Sequence, residues 1–207
     1  PLFGEVIPSG NKNAALPILA ACLLTDELIT LKNIPDINDV RTMRALLESL
    51  GVKITCIDPH TWEIQSKQIR PADLDPFLCK KIRASILLAG PMIAREGEIK
   101  LPPPGGDVIG RRRLDTHILA LSALGAEAEY NRDFTFHVNE ELVGADILLD
   151  EASVTATENT IMAAVLAKGI TVIRNAASEP HIQELCHFLI SLGAEIHQVG
   201  SNTLTIE

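Results

Sequence analysis

The sequence predicts an α/β fold: an inside-out barrel, or α/β prism, with three helices at its centre and three small sheets around them. Two observations carry this reading. The first is a repeat. Ser49-Leu50-Gly51-Val52-Lys53-Ile54, Ala123-Leu124-Gly125-Ala126-Glu127-Ala128 and Ser191-Leu192-Gly193-Ala194-Glu195-Ile196 are near copies whose leucine-glycine steps lie 74 and 68 residues apart. A period this long is a complete supersecondary unit. The second is that each copy ends an amphipathic helix, and each such helix follows an almost wholly apolar one. Every unit thus owns one helix built for burial and one built for a surface. Units near residues 1–66, 67–138 and 139–207 then give βαβαββ three times over in one domain. A doubly wound sheet fits less well, because no long alternation of parallel strand and helix runs through the chain.

The elements follow in order. Residues 2–7 open the chain as a strand, and residues 13–24 form the first apolar helix, with Pro17 tolerated in its first turn. Residues 28–31 are a short strand. Val40, Met43, Leu47 and Leu50 then keep helical spacing up to Gly51, which sits where a left-handed C-cap is wanted. An alternating strand over 52–57 comes next. In the second unit the apolar helix covers 83–94, where Pro91 is expected to kink it or end it early. A strand over 98–101, the stripe Leu114, Ile118, Leu121 and Leu124, and a strand over 134–138 complete that unit. The third has an apolar helix over 159–167, a strand over 170–173, the stripe Ile182, Leu185, Cys186, Leu189 and Leu192, and a closing strand over 204–207.

If the three inner helices are parallel, their first residues meet at one end of the domain. Those starts are Lys12-Asn13, Ile82-Arg83 and Glu158-Asn159. Free backbone N–H groups, about half a positive charge per helix, and two cationic side chains would converge there. The formal net charge is -9, which gives no general attraction to nucleic acid or anionic membrane. Aromatic residues are only 3%, too few for a base-stacking platform. An anion would have to be taken by that local positive pocket. Cys22, Cys56, Cys79 and Cys186 are dispersed without CxxC spacing, and His181 and His187 would not share a helix face, so reduced thiols in a cytoplasmic protein and no metal site are expected. Apolar runs fall short of the ~20 residues of a membrane span.

Four stretches carry a resemblance. They are Ser9-Gly10-Asn11-Lys12-Asn13-Ala14-Ala15-Leu16-Pro17, Ile82-Arg83-Ala84-Ser85, the run from Pro104-Gly105-Gly106-Asp107 to Leu114-Asp115-Thr116-His117, and Ala156-Thr157-Glu158-Asn159. Together they resemble the UDP-N-acetylglucosamine enolpyruvyl transferases, over the whole chain. The resemblance implies the prism fold of that family and transfer of the enolpyruvyl group of phosphoenolpyruvate to the 3-hydroxyl of UDP-N-acetylglucosamine. Phosphate is released, and the step opens peptidoglycan synthesis. No cofactor or metal is implied.

By the same resemblance Lys12 and Asp107 are catalytic, and Lys12, Asn13, Arg83 and Arg112 hold phosphoenolpyruvate. Arg83 and Arg113, with Leu114, Asp115, Thr116 and His117, hold the nucleotide sugar, as does the turn Ser153-Val154-Thr155. On residue chemistry alone other readings stay open. Lys12 is also a solvated cation at a helix start, Asp115 a helix cap, and His117 a surface residue. Residues 102–113 are either a surface loop or a lid that closes over an anion. Glu158, Glu179 and Glu184 are acid-base candidates by residue type, but capping and solvation explain them more cheaply. Thr155 stands where many members have glycine, and Asp107 where most have cysteine. In the family reaction the acid at that place protonates C3 of the enolpyruvyl group. An aspartate serves if burial raises its pKa, but it cannot form the thioether by which fosfomycin disables the cysteine enzymes.

Family members are about twice as long, with two prisms facing across a cleft. The missing partner domain would supply an aspartate base and a further arginine. The chain therefore reads as one domain taken from, or expressed apart from, a longer enzyme, and inactive or nearly so alone. The alternative is a non-catalytic nucleotide-sugar or anion-binding module of the same fold.

Overall fold

The computed structural model describes residues 3–70, 74–106 and 114–207. Helix α1 (Lys12–Ala21) is extended by a 3-10 turn, Cys22–Leu24, and buries Ala14, Leu16, Leu19, Ala20 and Ala21. Its counterpart in the middle of the chain is a 3-10 segment, Arg83–Leu88, running straight into α4 (Ala89–Glu96). Helix α6 (Val154–Ala164) is the third, with every residue from Ala156 to Ala164 buried. The 3-10 segment packs on both α1 and α6, and the turn that ends α1 packs on α4. The first two rods therefore run side by side in one direction.

The amphipathic helices wrap this centre. Helix α2 (Asn38–Ser49) lays Val40, Met43, Leu46 and Leu47 on α1, while α5 (Asp115–Ala123) and α7 (Pro180–Ser191) pack on α6. Each fully buried Leu, Ile or Met contributes about 1.5–3 kcal/mol. Leu19, Met43, Leu47, Ile86, Met92 and Ile161 are all in that class. The repeated glycines Gly51, Gly125 and Gly193 all take positive φ, at 95°, 104° and 108°, where a Cβ would be strained.

The sheets form three separate groups along the sequence. Strands β1 (Ile29–Leu31), β2 (Lys53–Asp58) and β3 (Thr61–Gln65) make an antiparallel sheet of order β1-β3-β2, with Ile29 opposite Ile64 and Leu31 opposite Trp62. Strands β4 (Glu98–Leu101), β5 (Glu127–Tyr130) and β6 (Phe134–His137) repeat this order as β4-β6-β5, with Ile99 facing the fully buried Phe136. Strands β7 (Asp146–Leu148), β8 (Thr171–Arg174), β9 (Ile196–His197) and β10 (Thr203–Ile206) give β7-β8-β10-β9, in which only β7 and β8 are parallel.

Several expectations need correction. The full βαβαββ order holds only in the third unit among the described residues. No strand spans residues 3–7, because no neighbouring strand among the described residues offers it hydrogen bonds, and Phe3, Val6 and Ile7 are exposed. A short helix α3 (Pro76–Lys81), capped by Asp75, was not foreseen. Helix α6 begins at Val154, five residues before the expected start, and ends at Ala164. Pro91 lies in the first turn of α4, where its missing N–H is harmless, and the irregularity sits upstream in the 3-10 segment. Pro17 is six residues into α1 and not in its first turn, so the Asn13 carbonyl lacks its intrahelical donor. Leu192, expected on the buried stripe, is exposed. Cys22, Cys79 and Cys186 are buried thiols and Cys56 an exposed one, none of them joined to another. No described helix is long and apolar enough to cross a membrane.

Candidate anion-binding site

Three helix starts meet at one cavity of about 240 Å³, lined among others by Lys12 and Asn13 of α1, Arg83 of the 3-10 segment, and Val154, Thr155 and Glu158 of α6. The convergence expected from the repeat is therefore present. Each start has its own reason. Asn11 caps α1 by accepting from the Asn13 and Ala14 N–H groups at 2.7 and 3.2 Å, and Ser153 caps α6 by accepting from Ala156 at 3.4 Å. Gly10 precedes the first cap because a Cβ there would collide with the Asn33 carbonyl. The Lys12 ammonium is 3.1 Å from Asp39 Oδ2, with both side chains half in solvent. Such an exposed pair is weak, so an incoming anion meets a cation it can recruit.

Arg83 is half-buried and opens its 3-10 segment beside the chain entering the proposed lid. Gly105 N–H donates to the Cys79 carbonyl at 3.1 Å and Gly106 N–H to the Lys80 carbonyl at 3.3 Å. A Cβ on Gly105 would strike Lys80, and Gly106 takes φ 91°, where a Cβ would be strained and would lie 3.2 Å from Arg83. Gly105 thus lets the backbone run against the end of α3, and Gly106 against the start of the 3-10 segment at Arg83. Asp107, Arg112 and Arg113 lie outside the described residues.

On the far side of that stretch Leu114 is buried and Asp115 begins α5 with an exposed side chain. Asp115 does not cap the helix, since Leu114 holds the cap position. Thr116 is buried and donates to Asp150 Oδ1 at 2.6 Å. His117 is no surface residue. It is 1% exposed, with Nδ1 3.0 Å from Asn159 Nδ2 and Nε2 3.1 Å from Thr155 Oγ1. The amide nitrogen can only donate, so Nδ1 accepts and Nε2 carries the hydrogen. Burial, then the charge of Arg83, pushes its pKa down to about 3, which keeps the ring neutral.

Asn159 does more than its place in a motif suggests. Its Oδ1 accepts the Gly90 N–H at 2.8 Å and its Nδ2 donates to the Ile86 carbonyl at 2.8 Å. In a continuous α-helix Gly90 N–H would bond Ile86 directly. The side chain of α6 therefore replaces one rung of the neighbouring helix, at the point where 3-10 turns into α. Gly90 has to be glycine there, because a Cβ would collide with the Asn159 carbonyl.

Glu158 was read as a capping or solvated residue and is neither. It is 2% exposed, in the second turn of α6, and lines the cavity. Burial, then the nearby charge of Glu179, pushes its pKa up to about 8. Glu179 and Glu184 are exposed, as solvation implied. The signal for Glu158 was available: with Ser153 taken as the N-cap, residue 158 falls inside a helix whose other positions are Ala, Thr, Asn, Ile and Met. Away from the cavity, the described residues bring Glu195, His197 and Glu207 within 4.8 Å of one another at the surface.

Comparisons with known proteins bear on the family and the fold. The family model described as EPSP synthase (3-phosphoshikimate 1-carboxyvinyltransferase) matches residues 1–207. A relative from Bradyrhizobium diazoefficiens, named UDP-N-acetylglucosamine 1-carboxyvinyltransferase, is 57% identical over 99% of this chain and 47% of its own length. One of the same name from Treponema denticola is 56% identical over 100% and 48%. The chain thus spans about half the length of the curated relatives it matches. Among solved structures, the enolpyruvyl transferase NikO from Streptomyces tendae superposes with a TM-score of 0.83 at 18% identity, over 99% of this chain and 48% of that one, which establishes the shared fold. With the family model over its whole length and relatives above one-half identity, the chain belongs to the EPSP synthase family of enolpyruvyl transferases.

Proposed function

We propose that this chain is one half of a UDP-N-acetylglucosamine 1-carboxyvinyltransferase, a single prism domain that binds phosphoenolpyruvate and the nucleotide sugar at the three-helix cavity. The observation that carries the reading is the meeting of Lys12 and Arg83 at that cavity, in a chain of net charge -9. Two cations at helix starts are an unfavourable arrangement by themselves and a favourable one around an anion. Lys12 and Arg83, joined by Arg112, would grip the phosphate and carboxylate, and Asn13 would orient them. Thr155 lines the cavity and is hydrogen-bonded to the buried His117, and with Arg113 to Thr116 and the Ser153–Val154 turn they would hold the nucleotide sugar.

In this reaction the sugar 3-hydroxyl adds to C2 while its proton passes to a base and Asp107 protonates C3; loss of a proton from C3 then expels phosphate from C2 and restores the double bond. The partner half contributes the base. The reading places the enzyme in the cytoplasm at the start of peptidoglycan synthesis, and so upstream of cell shape and division.

Phosphate release with both substrates is expected to be near zero for this chain alone. It should be restored when the remaining half is added, and lost again in Lys12→Ala and Asp107→Ala. Substrate binding without turnover in the joined halves would favour the non-catalytic module instead. The joined protein is also expected to keep its activity in fosfomycin, because a carboxylate at 107 cannot form the thioether. A covalent adduct on Asp107 seen by mass spectrometry would contradict that.

A further inference from the structure

We infer that Glu158 is a third anion-gripping group of the cavity, a carboxyl that meets the bound anion as a neutral acid and donates a hydrogen bond to it. The inference rests on the anion-site reading above and adds a residue to it. Glu158 shares the cavity lining with Lys12 and Arg83, yet 98% of its surface is withdrawn from solvent. The described residues offer its carboxyl no hydrogen bond. Its neighbours on α6 are committed elsewhere: Thr157 to the Ser153 carbonyl and Ala177 N–H, Asn159 to the α4 junction. The cavity is the outlet left to it.

An ionised carboxylate there would repel the anion that two cations attract. A protonated one removes the conflict and supplies a donor. The surroundings favour the acid form. Lys12 of α1 is engaged with Asp39 of α2, Arg83 stands at the 3-10 start, His117 of α5 is neutral, and α7 presents Glu179 and His181 in and just before its first turn. Helix α4 brings apolar residues up to Ala94. The net effect of burial and Glu179 is a carboxyl that titrates at about 8. A bound dianion raises that value further, so binding draws a proton from solvent whenever Glu158 is ionised.

The test is sulfate, a dianion whose charge is constant from pH 7 to 9, titrated calorimetrically into this chain. If only the acid form binds, the dissociation constant should weaken about tenfold between pH 7 and pH 9, with proton uptake seen as a buffer-dependent heat. Glu158→Gln, which keeps a donor but no titrating proton, should bind with little pH dependence and no uptake. Glu158→Leu should bind weakly throughout. A wild-type slope retained in Glu158→Gln, or a flat wild-type profile with binding intact, overturns the role of Glu158 and leaves the anion site standing. Absence of sulfate binding at any pH, or binding unchanged in Arg83→Ala, overturns the site itself and this inference with it.

Discussion

Asn159→Leu is expected to cost about 3–5 kcal/mol of folding stability, the range of a broken buried polar network. The substitution is close in volume, so packing is not the main loss. What disappears is the amide that bridges Gly90 N–H and the Ile86 carbonyl and reaches His117. Three polar groups would then be stranded in an interior where Ile86 and Asn159 are both 0% exposed. The α4 junction cannot close the rung by itself without unwinding its 3-10 segment, and that segment begins with Arg83. Asn159→Asp keeps the acceptor for Gly90 but loses the donor, and should fall between wild type and Asn159→Leu. Urea denaturation followed by circular dichroism reads this directly. A loss under about 1 kcal/mol for Asn159→Leu would show that the bridge is dispensable.

Glu158→Gln is expected to stabilise the fold by about 3 kcal/mol at pH 7, and by less as the pH falls. The folded carboxyl titrates at about 8 against an ordinary 4.5, so between those values the native chain keeps a proton that the unfolded chain releases. Stability from this group is present below about pH 4.5 and drains away as the pH rises to about 8. His117 works in the opposite direction. Its folded pKa of about 3 against 6.5 means that stability is complete above pH 6.5 and falls as the unfolded chain takes up a proton below that. The two slopes cancel between about pH 4.5 and 6.5, which should appear as a plateau. Removing Glu158 should turn the decline above pH 6.5 into a flat line. A wild-type stability that does not fall from pH 6.5 to 8 would contradict this assignment.

The helical rods and the surfaces they bury were legible because alternation of apolar and polar residues records burial directly. The three-fold plan was legible because Gly51, Gly125 and Gly193 mark the same left-handed cap. Edges were less so. The start of α6 was missed because Thr155, Thr157 and Glu158 are not apolar, though Ser153 is a plain cap. The strand expected over residues 2–7 is absent from the described residues 3–7 because strand character resides in a partner, and β-branched residues alone do not provide one. In the site, Lys12 and Arg83 could be placed together from symmetry. The burial of Glu158 could be read only with Ser153 taken as the N-cap, and the bridge made by Asn159 could not, since an amide looks the same in a sequence whether it faces water or a neighbouring helix. Their roles come from contacts with Gly90, Ile86 and Glu179, all of them far away in the chain.

Each sheet is assembled from one continuous stretch: residues 29–65, 98–137 and 146–206. Pairings so close in sequence carry a small loop-closure cost and can form early, as each segment leaves the ribosome. The cavity is different, because its walls come from positions 12, 83 and 158. No two-thirds of the polypeptide contains it. A nascent or truncated chain can therefore own respectable secondary structure and still have nowhere to put a ligand, which makes ligand capture a stringent report that all three sectors have docked.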